Sequence, residues 1–466
     1  MKLGQGKRRD LLKAIGAGAA LTLLGVTRKG ARAEPAKAKR LLVLYAGGGL
    51  RSTAAFNASP REELNPWGVA GTAGALRLGN ILSSTPAAIS NDAASWPDAQ
   101  VPDITEAAKS FSMIAATDHA PDLPRAGDHP DDSERMGTGY FGKASAPGLI
   151  TVLNKYLGAS APAPIASIGG SPLAIATGPW VQFAPVALEW YGLPNSPPQS
   201  GDPKVGQPIE DALDTRLRAG RRGLSATLVD GYLGTKQALR KYGPVLAEKA
   251  LHLNAAANFE VALDGVTNRM LLEAVGARLL ADDFEPDSKS DMAIRCAMGL
   301  RLLQMGSPAV SVTIGGFDTH SDENTDAPEL YTRFARYLAG FHFALSRMLD
   351  DQGQPLLDST LVVTMSEFGR SPGQNSGFND GYGTDHGNGA SWRNQAHVIF
   401  GAGITPKVLA ETNDDNEPTS GAVHTTHALH ATLCASLGVP QPEIDAIWPP
   451  GTELYTEGAP LFELWS

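Results

Sequence analysis

Three short clusters in the C-terminal half combine carboxylates with nitrogen groups at spacings that suit metal chemistry. Gly315-Gly316-Phe317-Asp318-Thr319-His320 places an acid and an imidazole two residues apart on a turn. Glu367-Phe368-Gly369-Arg370 follows a carboxylate with a guanidinium three residues on. Gly383-Thr384-Asp385-His386-Gly387 sets an adjacent Asp-His pair in a loop dense with Gly and Asn. Oxygen and nitrogen donors without thiolate suit a divalent ion of the Zn, Mn or Fe type. An Asp and a His two apart can converge on one ion, and an adjacent pair can share one or ligate two. Asp is also a common turn and cap residue, so each pair alone has an ordinary structural use. The first two clusters, however, each follow an apolar run, and α/β sheets bind ligands at the carboxyl ends of their strands.

The elements that must position these clusters are legible as a rhythm. Short apolar runs at 40–45, 111–116, 309–314, 359–364 and 395–400 predict strands. Helical spacing predicts helices at 146–157, 291–305, 329–350 and 424–437. Such alternation predicts an α/β fold with a mostly parallel sheet and helices on both faces. Residues 128–139, polar and acidic, are expected to form a loop after the second strand. A Pro-, Gly- and Ser-rich stretch from Asn195 opens an insertion at about 195–285, expected to be mainly helical. Cys296 and Cys434 stand far apart in apolar helical patterns, which predicts two buried free thiols.

Hydroxyls and cations near the strand ends complete the candidate site. Thr138, in Arg135-Met136-Gly137-Thr138-Gly139, is the first candidate nucleophile, and Ser52, just past Gly47-Gly48-Gly49, is the second. Both are equally common turn hydroxyls. Arg370 could clamp a tetrahedral oxyanion bidentately or pair with Glu367. His129 is a ligand candidate or an exposed loop residue. His427 and His430 are expected to pack and cap, with His424 left as a possible substrate contact. The glycines after the first strand do not match a dinucleotide-binding spacing.

The N-terminus predicts export. Arg8-Arg9 precede Leu11-Leu12-Lys13, a weakly apolar run spans Ala14 to Val26, and Ala31-Arg32-Ala33 offers a small-x-small cleavage site. This order fits a twin-arginine signal over residues 1–33, and hence the twin-arginine export machinery as a partner and a periplasmic or extracellular location. The apolar run is shorter than the roughly 20 residues that cross a bilayer, so no integral membrane segment is expected in the mature chain. Residues 1–33 hold eight of the 39 Lys and Arg and one of the 49 Asp and Glu, so removing them takes the formal charge from −10 to −17. That balance argues against a nucleic-acid partner.

Gly-Gly-Phe-Asp-Thr-His, then Thr360-Leu-Val-Val-Thr-Met-Ser-Glu-Phe-Gly-Arg370, then Asp385-His386-Gly387, resembles domain of unknown function family 1501. That family is similar to sulfatases, within the alkaline-phosphatase-like superfamily. The resemblance runs from Leu41 to about Pro440 and implies one alkaline-phosphatase-like domain over 34–466. It implies metal ligands at Asp318, His320, Glu367, Asp385 and His386. Two positions depart from the pattern: Phe368 stands where a ligand His is usual, and Ala46 where the first strand usually ends in a ligand Asp. One metal or a rearranged pair is therefore expected, with Zn, Mn, Ca or Mg as candidates. The implied activity is metal-dependent hydrolysis of a phosphate or sulfate ester, small or polymer-linked. The alternative is a non-catalytic exported binding or surface-assembly protein that keeps the fold.

Overall fold

Leu41-Leu42-Val43-Leu44-Tyr45-Ala46 has no polar face. In the computed structural model it forms the strand β1 (Arg40–Ala46), buried on both sides. The structure describes residues 38–83, 104–120, 128–143, 145–188, 262–263, 266–267, 295–296, 299–300, 302–320, 323–350, 352–372, 384–385, 393–419, 424–449 and 461–466. All lie within the unit Ala36–Ser466. The signal segment and nearly all of the expected insertion fall outside these residues, as does much of the expected helix at 291–305.

Among the described residues, eight further strands join β1: β2 (Ser112–Asp118), β3 (Ala166–Ile168), β4 (Val186–Leu188), β5 (Ala309–Ile314), β6 (Thr360–Ser366), β7 (Asn394–Gly401), β8 (Val408–Leu409) and β9 (His424–Thr425). Their order is β8-β2-β7-β6-β1-β5-β3-β4, with β9 alongside β2. Every pairing is parallel except those of β7, which runs antiparallel to both β6 and β2. The sheet is thus mostly parallel, as the strand–helix alternation predicts, with one reversed strand.

Alternation along β1 divides the core in two. Leu42, Leu44 and Ala46 belong to one apolar cluster, with Phe334, Tyr337, Leu338 and Phe341 of the helix α3 (Glu323–Leu345). Leu41, Val43 and Tyr45 belong to the other. There they join Leu149, Ile150, Val152 and Leu153 of α2 (Leu149–Leu157), and Leu429 and Leu433 of α4 (Thr426–Ser436). Helices therefore cover both faces of the sheet. Each fully buried Leu or Val contributes about 1.5–3 kcal/mol by leaving water, which is why the central strands carry almost nothing else. Cys296 and Cys434 are buried and free, and burial pushes both thiols up.

Two expectations need correction. Residues 128–139 are not a loop: they hold α1 (His129–Thr138). Asp128 caps it by accepting from the Asp131 amide at 3.1 Å, Pro130 stands in the first turn, and Gly139 ends it at φ 81°. These are ordinary start and stop signals, masked in the sequence by a low apolar content. The long helix, expected over 329–350, instead runs Glu323–Leu345 and carries Pro328 inside it, a residue that supplies no backbone N–H to the ladder.

Candidate metal centre

Because β1, β5 and β6 run parallel and in register, their carboxyl ends meet at one edge. Ala46 lies opposite Ile314 on one side and Ser366 on the other. The segments that follow, Gly47–Gly49, Gly315–His320 and Glu367–Arg370, are therefore brought together. The approach is close enough to require glycine. A Cβ on Gly48 would lie 2.3 Å from the Asp318 nitrogen, and one on Gly49 2.5 Å from the Phe368 ring. Both residues have positive φ, 116° and 94°, which side-chain-bearing residues rarely adopt.

Asp318 is the centre of the arrangement. His320 Nε2 lies 2.8 Å from its Oδ1, and His129 Nε2, from the first residue of α1, lies 3.2 Å from the same oxygen. The Arg370 guanidinium donates to that oxygen and to the Gly48 carbonyl, the latter through Nε at 2.9 Å. Burial alone would raise the Asp318 carboxyl, but the Arg370 hydrogen bond and charge, with both imidazoles, hold it below the usual range. Asp318 is thus a carboxylate at neutral pH.

His129, Asp318 and His320 each offer a ligand atom, all within 4.8 Å of one another. A tetrahedral Zn site with bonds of about 2.1 Å separates its donors by roughly 3.4 Å, so one small divalent ion fits this N/O/N set. The three side chains are 31%, 46% and 42% exposed, which leaves the centre open to solvent.

Glu367 stands behind His129. One of its oxygens takes His129 Nδ1 at 2.5 Å and the Gly48 amide at 3.0 Å. The other accepts from the Tyr45 hydroxyl at 3.2 Å. The Glu367 hydrogen bond raises the His129 imidazole. Burial first, then the Glu367 charge, pushes the Tyr45 phenol well above its ordinary value, so it remains a donor.

Of the sequence-predicted residues, Asp318, His320, Glu367 and Arg370 converge here. Asp385 is described in its backbone alone, which pairs with Ser371, one residue past Arg370. His386 lies outside the described residues. Thr138 does not reach the centre. It ends α1, nine residues or about 13 Å along the helix from His129. Its hydroxyl is committed to the Glu134 and Tyr140 carbonyls at 2.8 and 3.0 Å. Ser52 is 3% exposed in a short helical turn beyond the glycines, and no hydrogen bond joins it to the three ligand candidates. Arg370 is 1% exposed, and its guanidinium holds Asp318 and the glycine turn.

His129 is ambiguous in the sequence because the low apolar content of its segment hides the helix it begins. Its ring lies 5.1 Å from that of Phe368. Next to the turn, Arg51 and Glu323 form a buried ion pair at 3.0 Å, and the Arg51 amide donates to the Tyr331 hydroxyl at 2.7 Å.

Residues 38–444 match the profile of a family described as Protein of unknown function (DUF1501). The chain belongs to that family. No curated protein matches it. Among solved structures it is similar to the PsFucS1 sulfatase from Pseudoalteromonas sp., at 11% identity and a TM-score of 0.34, over 91% of this chain and 73% of that one. It is also similar to the lipoteichoic acid synthase LtaP from Listeria monocytogenes, at 8% identity and a TM-score of 0.31, over 86% and 72%.

Proposed function

We propose that this family member is an exported, metal-dependent hydrolase of phosphate or sulfate esters, with the alkaline-phosphatase-like fold its motifs resemble. The observation that carries the proposal is the convergence of His129, Asp318 and His320 at the carboxyl edge of the parallel strands. These three residues would hold a divalent ion, which would supply Lewis-acid polarisation of the ester oxygens. The chain's own residues keep that centre assembled. Asp318 brings a carboxylate whose charge Arg370 preserves, and the glycines let β1 approach within contact of it. The Gly48 and Glu367 positions brace the turn from below. Export through the twin-arginine route fits a protein that must fold before its centre can form, since the ligands come from separated parts of the chain.

Phe368 and Ala46, both 0% exposed, favour a second reading in which the fold and one metal persist without turnover. Metal analysis of the purified protein, with turnover of nitrophenyl phosphate and nitrophenyl sulfate, separates the two. The hydrolase reading expects bound metal and turnover in wild type, both lost in Asp318→Ala and turnover lost in His386→Ala. A metal-free wild type with no turnover refutes it, and metal without turnover on either ester supports the non-catalytic protein.

A further inference from the structure

Glu367 carries a ligand role by family resemblance, yet its surroundings describe a different task. Both of its oxygens are engaged by protein donors: the Gly48 amide and His129 Nδ1 on one, the Tyr45 hydroxyl on the other. The side chain is 6% exposed, whereas Asp318 is 46% exposed. It does not belong to the set of three whose ligand atoms cluster. Its bond to His129 also has a direction. With Nδ1 turned to Glu367, Nε2 is the nitrogen that faces Asp318.

We infer that Glu367 is a positioning residue that selects the Nδ1–H tautomer of His129 and aims its Nε2 lone pair at the metal, with Tyr45 and the Gly48 amide holding the carboxylate in place. The inference rests on the metal-centre reading proposed above. Carboxylates bonded to the distal nitrogen of a ligand imidazole fix its orientation and raise its basicity. Two features make Glu367 suited to this. It is the first residue after β6, so its backbone is anchored by the central β1–β6 pairing. Tyr45 belongs to β1 itself, one residue from the strand end, so the two braces come from adjacent strands of one sheet. His129, by contrast, is the first residue of a helix, and its side chain is 31% exposed.

The test is Zn²⁺ affinity by calorimetry on the metal-free full chain, comparing wild type with Glu367→Gln, Glu367→Ala, Tyr45→Phe, His129→Ala and Asp318→Ala. Positioning predicts that Glu367→Ala weakens Zn²⁺ by about 10- to 100-fold. Glu367→Gln, which keeps an acceptor for Nδ1–H, should lose less, and Tyr45→Phe only a few-fold. In ¹⁵N spectra of the metal-free protein, taken at a pH above the raised His129 titration so that the ring is neutral, His129 should hold its proton on Nδ1 in wild type and become a tautomer mixture in Glu367→Ala. The spectrum remains readable where Glu367→Ala binds poorly through partial unfolding, because Tyr45→Phe and Glu367→Gln report the same ring in milder backgrounds. Affinity unchanged in both Glu367 variants overturns the inference. A loss in Glu367→Gln as complete as that in Asp318→Ala would make Glu367 a ligand and overturn it equally. Absence of Zn²⁺ binding by wild type refutes the metal centre itself, and the tautomer measurement then decides the role of Glu367 alone.

Discussion

Three imidazoles sealed behind the sheet should make this protein acid-labile well above the range where carboxylates titrate. His397, on β7, is buried and bonded through Nδ1 to the Thr364 carbonyl at 2.8 Å. His427 takes the Gly139 carbonyl at 2.8 Å, and His430 rests its ring against Trp448, 5.0 Å between centroids. Burial lowers His397 and His427 to about 4 and His430 to about 3. An unfolded chain, with imidazoles near 6.5, takes up these protons as pH falls through that value, while the folded chain does not until about pH 4. Stability is therefore full above about pH 7 and drains away between about 6.5 and 4. At pH 5 each imidazole costs about 2 kcal/mol. His427 and His397 each add to the lowering of His430, so the three are not independent and together cost about 4–6 kcal/mol, comparable to the whole stability of a typical domain. Urea unfolding at pH 7.5, 6 and 5 measures this directly. His397→Asn, which retains a donor for Thr364, should flatten the loss between pH 7.5 and 5 by about 2 kcal/mol. Wild-type stability that changes by less than about 1 kcal/mol over that interval, or a slope identical in the variant, would refute the reasoning.

Other substitutions probe the centre and its supports. Gly48→Ala would force a Cβ against the Asp318 backbone at a φ of 116° and should destabilise by about 2–4 kcal/mol while abolishing Zn²⁺ binding, both read on the same preparation. Glu323→Gln leaves the buried Arg51 without its counter-charge and should cost about 3–5 kcal/mol in urea unfolding. Thr138→Val removes the hydroxyl that bonds two carbonyls at the end of α1, so stability should fall by about 1–2 kcal/mol with ester turnover unchanged. A turnover loss in a folded Thr138→Val protein would restore it as a nucleophile.

Strands 309–314 and 359–364 were legible because apolar runs buried on both faces leave little else to be, and the structure has them at Ala309–Ile314 and Thr360–Ser366. Asp318, His320 and Glu367 followed from the rule that sites lie at strand ends, without any knowledge of pairing. The sequence by itself thus determined the α/β class, the mostly parallel sheet and two of the three clustered ligand candidates. Only the tertiary structure decided which side chains share a centre. His129 lies far from Asp318 along the chain, and its place depends on how α1 docks beside β1, a choice made by Met136 and its apolar neighbours. The same docking separates Thr138 from the centre, because one helix cannot present both of its ends to one point. Glu367 keeps the strand-end position its spacing implies, but the donors around it come from β1, the glycine turn after it and α1. Their convergence is a property of packing, which no local pattern of residues encodes.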